Sequence, residues 1–145
     1  MAITSAVCTS FKAEVIDGTH DFTTDTFKIA LIKNSPVGTF GAATTNYSEL
    51  GSDEVANGSG YTTGGETLVG VQQVTDSTTI VVDWTTDPSW ATATFTSRGC
   101  LIYNSSKSNK AVVVLDFGAD ITATNGTFLI TFPLPTAAAG LIRLA

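Results

Sequence analysis

The chain has few basic residues and very little cysteine or histidine. Seven Lys and Arg stand against thirteen Asp and Glu, a formal net charge of −6. Nucleic-acid affinity rests on neutralising phosphates with Lys and Arg, so this balance argues against DNA or RNA as a partner. The seven, Lys12, Lys28, Lys33, Arg98, Lys107, Lys110 and Arg143, are also scattered, with no basic stripe interleaved with aromatics. Two distant cysteines, Cys8 and Cys100, and one histidine, His20, do not make up the roughly four paired ligands of a zinc site. The first ten residues lack a basic, then apolar, secretory leader, so the expectation is a protein kept in a reducing cytoplasm with both thiols free. Apolar runs such as residues 111–115 fall far below the ~18–20 residues of a spanning helix, so no membrane partner is expected. Charged residues make up 14% of the chain, against a usual ~25%, and hydrophobic residues 43%. With a mean hydropathy of +0.23, that composition excludes intrinsic disorder.

The chain is rich in threonine, with 25 in 145 residues, and Thr together with Val and Ile favours strands. Residues 11–16 (FKAEVI) alternate and end at Asp17-Gly18; residues 26–32 (TFKIALI) form a second strand. Residues 66–74 are a third, followed by an Asp76-Ser77 turn into residues 78–84 (TTIVVDW), an antiparallel hairpin. Residues 92–96 and 100–103 are separate strands divided by Ser97-Arg98-Gly99. Residues 111–117 (AVVVLDF) are a nearly continuous apolar run, as in a strand buried on both faces, and residues 105–109 (SSKSN) form the hairpin tip before it. Asn125-Gly126 reads as a turn into the last strand, residues 127–132. Helical signal is confined to single turns at residues 45–50 and 88–93. The pattern predicts an all-β, single-domain β-sandwich or jelly-roll-like barrel of about eight antiparallel strands over residues 1–132. Residues 36–65 hold seven glycines in a long loop, and residues 133–145 form a C-terminal tail or arm.

No catalytic residue, metal site or cofactor is expected. His20 lies between Asp17 and Asp21 in a turn-rich stretch with no G-x-S-x-G nucleophile elbow anywhere in the chain, and reads as a surface group. Asp17, Asp21 and Asp25 are spaced too widely for a calcium loop and read as solvated turn residues. Glu49, Asp53 and Glu54 sit on a glycine-rich loop, a poor frame for paired catalytic carboxylates. Residues 58–65 (GSGYTTGG) lack the Gly-Lys-Ser/Thr ending of a phosphate loop. Trp84 and Trp90 could stack on a sugar, but tryptophan is also a common core filler.

Five phrases occur in order: TFKIAL (26–31), GYTTGG (60–65), DPSW (87–90), RGCLIYNSSK (98–107) and AVVVLDFG (111–118). Together they resemble a family of small β-rich virion proteins of tailed bacteriophages, over roughly residues 11–132. Similar small proteins serve as capsid cement, or decoration, proteins. The resemblance therefore implies a structural role on the capsid exterior, after assembly in the host cytoplasm. It implies as partners the major capsid protein and further copies of the chain, as a homotrimer over junctions between capsomers. A tail or fibre-associated subunit, or a glycan-binding module using the two tryptophans, are the alternatives. Apolar residues outside the strand pattern are the expected contacts: Val7, Phe11, Phe40, Tyr47, Leu141, Ile142 and Leu144. The same seven could instead complete the monomer's own core.

Overall fold

The computed structural model describes residues 2–145. Strands take up 49% and helix 12%, in several antiparallel sheets, and among the described residues no barrel closes. The described strands run β1 (Ala2–Ile3), β2 (Ala6–Val7), β3 (Phe27–Lys33), β4 (Thr39–Phe40), β5 (Glu66–Thr67), β6 (Val71–Asp76), β7 (Thr79–Trp84), β8 (Ser89–Asn104), β9 (Lys110–Leu129) and β10 (Ile142–Leu144). A helix, α1 (Thr9–Ile16), stands between β2 and β3. One sheet has the order β2-β9-β8-β3-β5 and a second the order β10-β7-β6, while β1 and β4 pair in parallel.

The central strands follow from composition. Residues Ile29 to Ile32 of β3 are fully buried on both faces, as are Ala111, Val112 and Val114 of β9. Between these two strands lies β8, whose Cys100, Leu101 and Ile102 are equally inaccessible. The two main sheets meet through aromatics. Phe27 of β3 lies 5.7 Å from Trp84 of β7, and Phe22 stacks on Phe27 at 4.7 Å. A second aromatic group joins Trp90, Phe95 and Phe128 to Tyr61 of the long loop.

Several local readings are corrected. The segment expected as strand 11–16 is α1. Alternation and helical spacing coincide here, because Cys8, Phe11 and Val15 also recur at i, i+3 and i+7. Asp17-Gly18 ends a helix rather than a strand: Thr19 N–H bonds to Glu14 O at 2.8 Å and Gly18 N–H to Val15 O at 3.2 Å. That paired closure needs a left-handed residue, and Gly18 supplies it at φ +70°. Second, the strand expected at 66–74 is broken at Leu68 to Gly70, so that β5 joins the first sheet and β6 the second. Third, Ser97-Arg98-Gly99 does not separate two strands. It is a bulge inside β8, with the Ser97 hydroxyl 2.8 Å from Ile32 O. Fourth, Asn125-Gly126 is a bulge inside β9 rather than a hairpin turn, and residues 88–93 enter β8 instead of a helical turn. The β6–β7 hairpin and the polar tip at residues 105–109 form as expected, the latter around a short 3-10 turn (Ser105–Lys107).

The loop at 36–65 has order of its own, set by its three acids. Asp53 accepts from Val37 N–H at 3.0 Å and Gly38 N–H at 2.7 Å, and pairs with Lys33 at 3.1 Å. Glu49 closes a capping box on Asn46 at the start of the 3-10 turn Tyr47–Glu49. Glu54 is buried and accepts from Tyr47 at 2.6 Å, Tyr61 at 2.7 Å and Gly64 N–H at 2.7 Å. Gly65 then passes so close to β3 that a Cβ would collide with Ile29 O, and its φ is +71°.

Candidate functional site

An open, mainly apolar groove of about 650 Å³ lies where the two ends of the chain meet. Its walls come from β2 (Ala6, Val7), α1 (Phe11, Lys12, Val15, Ile16), Ala42, and the C-terminal segment (Leu141, Arg143, Leu144, Ala145). Each element is held by main-chain bonds. Cys8 N–H bonds to Val112 O at 2.9 Å and Thr9 N–H to Ala42 O at 2.8 Å, which fixes the start of α1 against β9 and the long loop. On the opposite wall, β10 pairs with β7 in the register Ile142↔Val82. Ile16 is 86% exposed and Leu144 50%, so the groove presents apolar surface to water. A single exposed aliphatic side chain is ordinary, whereas a contiguous group rimmed by polar residues marks a contact surface.

Of the seven expected contact residues, four line this groove: Leu144 is exposed, Val7 and Leu141 are partly buried against the core, and Phe11 is itself a buried core residue. Ile142 lies beside them with its side chain in the core. Phe40 and Tyr47 lie elsewhere. Phe40 is buried within β4, paired with Ile3 of β1, and Tyr47 stacks on Tyr103 at 4.5 Å while donating to Glu54. Sequence reading missed Lys12, Val15, Ile16 and Arg143. Lys12 and Ile16 are four apart, one helical turn, and that spacing signals a shared face once the segment is known to be a helix.

The titratable side chains elsewhere are built into the fold. His20 is not a surface group: its side chain is fully buried, with Nε2 2.8 Å from Glu14 and Nδ1 2.9 Å from Asn104 Nδ2. The Asn104 amide nitrogen can only donate, so His20 accepts at Nδ1 and donates from Nε2. Burial opposes ionisation of Glu14, yet bonds from Lys110 and His20 outweigh it and hold the carboxyl below its ordinary value. Asp25 is likewise buried rather than solvated; Asn104 donates to it at 2.8 Å. Burial pushes the Cys8 thiol up to about 12, with Glu49 and Glu14 adding to it, and burial also raises Cys100; both are free thiols. Among the described residues, no group of three His, Cys, Asp or Glu is placed to hold a metal ion. No described helix is long and apolar enough to cross a membrane.

Trp84 and Trp90 are only 3% and 2% exposed, so neither offers a ring face to a sugar. Comparison with protein-family models, curated proteins and solved structures gives no match to this chain.

Proposed function

We propose that this chain is a structural virion protein of a tailed bacteriophage, a capsid cement protein that bridges capsomers of the major capsid protein and stabilises the head. The observation that carries this reading is the groove, an exposed apolar surface made by both ends of the chain and lined by four of the seven expected contact residues. The ordered phrases support it from another side. TFKIAL, RGCLIYNSSK and AVVVLDFG fall in β3, at the end of β8 with its adjoining turn, and in β9, the three central strands of the larger sheet. The resemblance therefore covers the residues that set the fold. We read the two main sheets, packed through Phe27 and Trp84, as halves of an incomplete sandwich.

In this reading the protein acts by burying surface, as a homotrimer on the capsid exterior. A standard interface buries about 800 Å² on each partner. A protein that binds the assembled shell and not its separated subunits stabilises the shell by mass action. The net charge of −6 suits an outer layer that does not compete for the packaged genome. Quantitative mass spectrometry of purified particles tests the reading. Copy numbers comparable to the major capsid protein are expected; a handful per particle would move the chain to the tail.

A further inference from the structure

We infer that the groove binds its partner by β-strand addition, taking an extended apolar segment that carries Asp or Glu side chains. The identity of that partner as a shell subunit rests on the reading above; the binding chemistry rests on the groove itself. Two of its walls are formed by edge strands. β2 is the outermost strand of the five-stranded sheet and β10 the outermost of the three-stranded sheet. An edge strand leaves the row of main-chain groups on its outer side without a ladder partner, and here β2 offers two residues and β10 three. An extended segment can satisfy such a row, whereas a helix has already used its own main-chain groups. The apolar lining, Val7, Val15, Ile16, Leu141 and Leu144, then receives alternate side chains of the added strand.

The charge of the occupant follows from the two cations at the groove. Lys33, Arg98, Lys107 and Lys110 each pair with a carboxylate. Among the described residues Lys12 has no such partner, and the Arg143 guanidinium bonds to the carbonyls of Ala137 and Ala138, at 3.1 and 2.9 Å. No Asp or Glu side chain lines the groove, in a chain that carries thirteen of them. Both cations are thus available to carboxylates supplied from outside. A second copy of this chain, at a net charge of −6, is the less favoured occupant of this groove, and the homotrimer of the reading above would use another surface.

The probe is a pair of blocked pentapeptides, Val-Glu-Val-Glu-Val and Val-Lys-Val-Lys-Val, titrated into the isolated protein and followed by amide chemical shifts. The acidic peptide is expected to bind at millimolar concentration, shifting amides of β2 and β10. The Lys12→Glu/Arg143→Glu variant, checked by circular dichroism to be folded, should bind it at least about tenfold more weakly. Lys12→Arg/Arg143→Lys should bind as the unaltered chain does. Equal binding of both peptides, no binding of the acidic one, or shifts confined to other strands would overturn the inference. A photo-crosslinker at Ile16, used on purified particles, separates the two proposals. Peptide binding by a protein absent from particles would sink the virion reading and leave the groove chemistry standing. A crosslink to a second copy of this chain would overturn the inferred occupant.

Discussion

Glu54 is a carboxylate only 9% exposed, with three hydrogen-bond donors and no cation paired to it among the described residues. Hydrogen bonds to a charged group contribute about 1.5–3 kcal/mol each, and truncating the acceptor strands its donors. Glu54→Ala should therefore lower stability by about 3 kcal/mol and Tyr47→Phe by about 1.5 kcal/mol in urea unfolding. Tyr61 and Tyr103 remain neutral phenols, their ionisation pushed up by burial and then by Glu54. Asp83 is the opposite kind of residue. It is fully buried in β7, with one carboxylate oxygen lacking any hydrogen bond. Burial, followed by the neighbouring charge of Asp87, raises its pKa above the ordinary 3.8. Its protonated form favours the fold, so this contribution is complete below pH 3.8 and is lost as pH rises through the folded-state value. Asp83→Asn should remove that loss, so that the urea midpoint rises more from acid to neutral pH than it does in the unaltered chain.

At the scale of elements, two joints decide the architecture. Gly65 lets the long loop pass tightly over β3. Gly65→Ala adds a Cβ against Ile29 O in a left-handed conformation, and a loss of about 3 kcal/mol or more is expected. A thermal melt checks it; an unchanged midpoint would mean that the loop has room to move aside. β10 is held by three register pairs to β7 and by the burial of Ile142. Ile142→Ala should cost about 3 kcal/mol and raise amide exchange in β10 ahead of the rest of the sheet. That experiment also bears on the groove, because a frayed β10 removes one wall.

For the molecule as a whole, acid stability follows from the buried carboxylates. Asp25 and Asp53 are held below the ordinary range although burial opposes it: main-chain N–H bonds come first, then Asn104 and Lys107 for Asp25, and Lys33 for Asp53. Asp116 is lowered chiefly by its bond from Arg98. Groups with depressed folded-state values contribute stability above the unfolded carboxylate range and lose it as pH falls through the folded-state values. The urea midpoint should therefore drop steeply below about pH 4, the Asp83 contribution being too small in number to reverse it. On particles, the cement reading expects heads lacking this protein to release their genome at lower temperature than complete heads. Equal thermal release would sink it.

Local pattern alone determined the β character, the apolar identity of β3 and the first half of β9, the β6–β7 hairpin and the tip at residues 105–109, because side-chain period and turn chemistry act between near neighbours. It also marked Val7, Phe11, Leu141 and Leu144 as candidate contacts from their apolarity. The segment from Thr9 to Ile16 carried a pattern compatible with either period, and only packing against β9 and the long loop made it a helix. Ser97-Arg98-Gly99 and Asn125-Gly126 had the residues of turns, yet pairing along β8 and β9 absorbed both as bulges. The groove was beyond sequence reading for the same reason. Its two sides are separated by more than a hundred residues, and only the pairing of β2 with β9 and of β10 with β7 brings them to one surface.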